Sequence, residues 1–136
     1  MEIEQARAFV RGNSNTVLAT FRRDGRPQLS PVNTAIDDDG FAVISSRETA
    51  VKVKNLRRDP RASLCVLSDG FYGQWAQLDG TAEIVSLPDA MEGLVDYYRR
   101  LSGEHPDWDD YRAAMVRDQR VIVRITPERA GPDRTG

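Results

Sequence analysis

Five cations fall within ten residues of this chain, Lys52, Lys54, Arg57, Arg58 and Arg61, in the run KVKNLRRDPR. They cannot all share one face of a helix. Lys52 lies near the start of the helix this segment predicts, where free backbone N–H groups and the helix dipole favour an anion. A phosphate held there gains charge-assisted hydrogen bonds. A solvated basic helix face fits the same pattern, and the spacing alone does not separate the two. Lys52 and Lys54 are the only lysines among 19 basic residues. A GC-rich coding bias explains most of that. It also makes a compact ammonium at these two positions conspicuous.

The run QLSPVN is polar for a strand. Alternation turns Gln28, Ser30 and Val32 one way and Leu29, Pro31 and Asn33 the other. Such a strand can read the edge of a heteroaromatic ring, or can be an exposed edge strand. Ser45 and Ser46, at a strand end, can donate to a phosphate or a polyol; turn chemistry is the plainer reading. Trp75 and Gln77 share a strand face, and an indole there packs on a flat cofactor or in the core. Cys65, on an apolar strand, reads as inert core, and His105, in a Gly-Glu-His-Pro loop, as solvent exposed. No Ser-His-Asp set, P-loop or dinucleotide glycine fingerprint occurs.

Several elements must position these residues. A short helix is predicted over Glu4–Arg11, stopped by Gly12 and Asn13. Strands follow at Thr16–Arg22, Gln28–Ile36 and Phe41–Ser46, the first two joined by Asp24-Gly25. A helix over Glu48–Asp59 ends at Asp59-Pro60. Ala62–Leu67 reads as a fully buried strand, and Gln74–Val85 as a long strand with a bulge at Gly80. A helix from Asp89 to about Leu101 is entered through Pro88 and capped by Ser86. A second short helix is capped by Asp107 or Asp109. Val121–Ile125 is the last strand, closed by Pro127, with residues 128–136 as a frayed tail. Six strands with inserted helices form one α+β, mainly β, domain over residues 1–136, and the antiparallel meander suggests a closed or split barrel.

The chain has 136 residues, a net charge of −2, one cysteine and one histidine. It is long enough to bury a core without disulfides. No basic excess points to nucleic acid, no apolar run reaches a membrane span, and no Cys/His cluster makes a zinc site. The single cysteine and the absence of a signal-peptide pattern place the protein in a reducing cytoplasm.

The segments GNSNTVLATFRRDGRPQLSPVN, Ser45-Ser46, KVKNLRRDPRASLCV, WAQLDGTAEI and GEHPDWDDYRAAMVRDQRV resemble the pyridoxamine 5′-phosphate oxidase-like superfamily. The blocks NLRRDPRAS and EHPDWDDYR resemble most closely its actinobacterial branch of deazaflavin-dependent oxidoreductases, which use coenzyme F-420. The resemblance implies a six-stranded antiparallel split β-barrel of the FMN-binding type. It implies a homodimer with two cofactor sites between the subunits, and hydride transfer between the deazaflavin and a small organic acceptor. By position, Lys52 would be the main phosphate ligand and Ser45 and Ser46 would flank the ribityl-phosphate. Gln28, Ser30, Pro31, Val32 and Asn33 would line the ring edge. Asn55 and Arg58 would support the phosphate or the glutamate tail, and Trp75 and Gln77 would approach from the partner. No residue is singled out as catalytic; a tyrosine such as Tyr72 could deliver a proton. The alternatives are an FMN enzyme of the same fold and a non-catalytic flavin or deazaflavin binder. Two departures stand out. The chain ends at TPERAGPDRTG without the basic segment by which true pyridoxamine phosphate oxidases grip their substrate, which argues against vitamin B6 oxidation. The family's charged position three residues before Lys52 is Thr49, so phosphate binding is expected to lean on Lys52.

Overall fold

A computed structural model describes residues 1–132. It contains helices α1 (Ile3–Gly12), α2 (Val51–Arg58), α3 (Met91–Ser102) and α4 (Trp108–Arg117). The strands are β1 (Asn15–Phe21), β2 (Pro27–Asn33), β3 (Ala35–Ile36), β4 (Ala42–Arg47), β5 (Arg61–Leu67), β6 (Trp75–Val85) and β7 (Arg120–Gly131). All seven form one antiparallel sheet in the order β2-β1-β5-β6-β7-β4-β3.

That order explains the barrel. β2 and β3 are separated in sequence by Thr34 alone, yet they lie at opposite ends of the sheet. The sheet must therefore curl until its two ends meet. Sequence periodicity treats Gln28–Ile36 as one strand because both halves are extended. The structure divides it at Thr34, whose N–H bonds to the Ser14 carbonyl at 2.9 Å as the chain crosses to β4. Six expected strands thus become seven, and the result is a split half-barrel with four helices. Leu18, Ile44, Leu64, Leu78 and Ile125 point into it and are fully buried. Ala6 and Val10 of α1 pack on the same core, as do Val53 and Leu56 of α2.

β5 is not wholly buried. Its residues alternate between buried and half-buried, because an antiparallel strand of a half-barrel has one face inside and one outside. Cys65 is consequently half-buried on the outer face, where burial pushes its thiol pKa up. Ser86 does not cap α3; its hydroxyl accepts from Arg57 at 3.1 Å instead. Asp107 caps α4, accepting from the Asp110 N–H at 3.1 Å. His105 is half-buried and not fully exposed. It packs among the rings of Tyr98, Trp108 and Tyr111 at 5.0–5.7 Å, and its Nδ1 accepts from the Asp107 N–H. Pro127 does not end β7. It lies opposite Gly80, at the bulge where the β6–β7 register shifts, so residues 128–131 continue the strand. Residues 133–136 of the expected tail lie outside the described residues.

Candidate functional site

Where the ends of the curled sheet meet, β2 faces β4 without a backbone ladder. β2 pairs only with β1, and β3 covers β4 only at Ala42 and Val43. A cleft of about 330 Å³ opens in this seam. β2 supplies Pro31, Val32 and Asn33 to it, and β4 supplies Ser45, Ser46 and Arg47. Ala50 and Lys52 enter from the start of α2, Tyr97 from α3, and Arg120 from the first residue of β7. Arg120 arrives because β7 pairs with β4 in a register that sets it opposite Arg47. The turn before it forces Gln119 into a left-handed conformation, φ 52°.

Arg47, Lys52 and Arg120 make no ion pair among the described residues, and no carboxylate lines the cleft. Burial, with the nearby Arg120 charge adding to it, lowers the Lys52 pKa. The Nε of Arg120 is buried without a hydrogen-bond partner. Groups that are cationic, crowded and unsatisfied lack an anion, and a phosphate supplies both the charge and the acceptors. Ser45 is half-buried beside them, whereas Ser46 is 2% exposed and its hydroxyl bonds to the Arg47 carbonyl. Tyr97 donates to the Asn33 carbonyl at 2.7 Å. Burial raises its pKa, opposed by the nearby Ser45 backbone amide and by Arg120.

The Lys52 shift makes a stability prediction. At neutral pH Lys52 is protonated in both states and the fold bears the full cost of burying the charge. Between its lowered folded pKa and the ordinary lysine value of 10.5, the fold binds fewer protons than the unfolded chain. Stability of the ligand-free protein should therefore rise with pH through that window. Urea midpoints of wild type and Lys52→Met should converge as pH rises from 8 towards about 10.5. Midpoints that stay parallel would mean that Lys52 carries no such penalty.

The remaining expected ligands are elsewhere. Gln28 and Ser30 are on β2 but outside the cleft; Gln28 Nε2 bonds to the Leu29 carbonyl, and the Ser30 hydroxyl is buried without a partner. Asn55 is 5% exposed and is spent internally. Its Nδ2 donates to Thr20 Oγ1 at 3.1 Å and its Oδ1 accepts from Arg58, which also donates to the Phe21 carbonyl. The pair ties α2 to β1 and stands away from the cleft lining. Trp75 and Gln77 lie on the outer sheet face, and Gln77 bonds to Asp79 at 3.0 Å. Tyr72, 97% exposed at the β5–β6 turn, is also remote from the cleft lining.

Arg47, Ala50, Tyr97 and Arg120 line the cleft without a sequence signal that joins them to Lys52. A larger hollow of about 390 Å³ lies between the ends of α1 and α3. Its Arg100 is already paired with Asp38 and Asp96, which leaves Arg11 alone there against three unpaired cations at the seam, so the seam cleft has the stronger claim on an anion.

The chain is similar to a conserved hypothetical protein, Rv2991 from Mycobacterium tuberculosis, whose crystal structure superposes with a TM-score of 0.77 at 30% identity over 96% of this chain and 82% of that one. An F420 reductase gives a TM-score of 0.66 at 24% identity, covering 88% of this chain and 90% of that one. HutZ, the heme storage protein from Vibrio cholerae, gives 0.71 at 17% identity, covering 96% and 94%. The last two likenesses speak to the fold alone. From residue 3 to residue 132 the chain matches the sequence model of the family described as Pyridoxamine 5′-phosphate oxidase, and it belongs to that family.

Proposed function

We propose that this protein is an oxidoreductase that transfers a hydride between reduced deazaflavin coenzyme F-420 and a small organic acceptor, with the cofactor held in the seam cleft. The observation that carries the reading is the unpaired group Arg47, Lys52 and Arg120 in a cleft without carboxylates, on a chain whose net charge is −2. An acidic protein concentrates cations in this way where it holds an anion. The orphaned Nε of Arg120 and the penalised ammonium of Lys52 both fit a phosphate. The preference for F-420 over FMN rests on the sequence blocks NLRRDPRAS and EHPDWDDYR.

In this reading Lys52, Arg120 and Ser45 hold the phosphate, and the Pro31–Asn33 segment borders the ring. The cofactor, when bound, supplies the hydride chemistry. The chain binds it, orients it and limits water. The cleft lining contains no carboxylate and no histidine, so none is assigned as a proton donor.

A homodimer belongs to the proposal. The outer sheet face runs in rows across the strands: Asn33, Asn15, Leu67 and Trp75, then Pro31, Val17, Cys65 and Gln77. Leu29 beside them is 61% exposed. A second copy on this face would bring its Trp75 and Gln77 near the Asn33 lip. A monomer by light scattering at micromolar concentration would remove that part.

The deciding experiment is a titration of apo-protein with coenzyme F-420 and, separately, FMN, followed by tryptophan quenching. Tighter binding of F-420, followed by oxidation of its reduced form with an acceptor, is the expected result. Preference for FMN would assign the cleft to a flavin enzyme instead. Tight F-420 binding without turnover would make the protein a carrier, a role consistent with a fold shared by a heme storage protein. Binding of neither would overturn the reading.

A further inference from the structure

We propose that Arg47 binds a second anionic group, a carboxylate, on the same ligand whose phosphate Lys52 and Arg120 hold. The proposal rests on the anion reading of the seam cleft.

Strand pairing sets two arginines face to face. Arg47 of β4 lies directly opposite Arg120 of β7. The next pair, Glu48 and Gln119, is joined by the Glu48 N–H, which donates to the Gln119 carbonyl at 2.9 Å. Pair types alternate along an antiparallel ladder. Arg47 and Arg120 are therefore a non-hydrogen-bonded pair, the type with Cα atoms about 4.5 Å apart and side chains closest. Like charges set directly opposite destabilise a sheet. No carboxylate among the described residues offsets this pair. Neither arginine has an ion pair, and Glu48, the adjacent carboxylate, is taken by Arg57 at 2.5 Å.

The cations differ in depth. Arg120 is half-buried with its Nε enclosed and unpartnered, and Lys52 is near enough to feel its charge. Arg47 is exposed, at the rim of the same cleft. A phosphate seated between Lys52 and Arg120 brings about two negative charges at most, which leaves the Arg47 charge unbalanced. One rim cation balances one negative charge, that of a carboxylate, and its planar fork can hold both carboxylate oxygens. The Arg47 backbone adds a donor. In a non-hydrogen-bonded pair its N–H points away from β7, towards the side of β4 that has no strand beyond Val43. The ligand class that follows is a phosphate ester or diester with a carboxylate close by. The glutamate tail of coenzyme F-420 would supply that carboxylate, whereas FMN has none. Asn55 and Arg58, which bond to each other and to β1, are not needed for it.

The test uses two small probes. Phosphoglycolate joins a carboxylate to a phosphate, and methyl phosphate has the phosphate alone. NMR titration of the apo-protein at low salt compares wild type, Arg47→Gln and Arg26→Gln, the last removing the same charge from the β1–β2 turn. Wild type should bind phosphoglycolate about fivefold more tightly than methyl phosphate, the upper range for an exposed charge pair. Arg47→Gln should abolish that difference while its affinity for methyl phosphate stays within about twofold of wild type. Arg26→Gln should keep the difference. Coenzyme F-420 should lose affinity in Arg47→Gln by a similar factor, and FMN should not. Equal losses for both probes would put Arg47 on the phosphate itself, and no loss would leave it a plain surface charge; either overturns the proposal. If wild type binds both probes but not F-420, the function proposed above fails on its own, and the phosphoglycolate preference still decides the role of Arg47. If it binds neither probe, the anion reading falls and the role of Arg47 falls with it.

Discussion

Lys52→Ala is expected to weaken cofactor binding by about 1.5–3 kcal/mol, the range for a lost hydrogen bond to a charged group. That is roughly one to two orders of magnitude in Kd. The same substitution should raise the thermal midpoint of the ligand-free protein. In the empty cleft the ammonium is partly desolvated and repelled by Arg120, so removing it relieves the fold. Arg120→Met should behave alike, losing affinity and gaining apo stability. The opposite signs matter, because a mutation that merely damages the fold lowers both. The two residues should also couple in a double-mutant cycle, since both would hold one phosphate. Isothermal titration and thermal melting of the three variants give all the numbers. Unchanged affinity in a folded Lys52→Ala protein would remove Lys52 from the site, and a lowered apo midpoint would contradict the repulsion.

Much of this arrangement is legible locally. A helix carrying Lys52 near its start, the turn at Asp24-Gly25 and the bulge at Gly80 follow from residue type and period, although the helix begins at Val51 and not at Glu48. So does the alternation that puts Val32 and Pro31 on opposite faces of β2. The seam is not legible. It depends on Thr34 sending consecutive extended segments to opposite ends of one sheet, and both segments have the same period. Arg120 joins Lys52 only through the β4–β7 register, so no spacing in the sequence relates them. Thr49, three residues before Lys52, carries no charge. Strand pairing supplies the second cation instead.

Asn55 illustrates the reverse case. The family resemblance implies a ligand role for Asn55, yet its side chain bonds to Thr20 inside the barrel. Its chemistry is the same in either role. What decides is the direction in which the helix presents it, and the helix is turned by Val53 and Leu56 seeking the core.

Gly80→Ala should be the most damaging single methyl in the protein. A Cβ at that position would lie 2.1 Å from the Thr126 carbonyl oxygen and 2.9 Å from Ile125 Cγ2. The first of these is backbone in the neighbouring strand, so no rotamer change relieves it. β6 and β7 are the two longest strands, and their register shifts between Asp79 and Gly80 to let Pro127 pass without a ladder hydrogen bond. Accommodating the methyl means pushing β7 away from β6. The expected cost is on the order of 4–5 kcal/mol or more, a large part of the roughly 5–15 kcal/mol that stabilises a domain. The protein should be insoluble or melt without cooperativity by circular dichroism. Gly12→Ala, where nothing lies within 4 Å of the added carbon, should melt like wild type. The effect should reach the cleft as well. β7 begins at Arg120 and carries β4, with Ser45 and Ser46, as its other neighbour. A folded Gly80→Ala protein should therefore bind phosphate poorly even though no cleft residue has changed. A variant that both melts and binds like wild type would show that β7 can shift without cost, and that the bulge does not hold the cleft together.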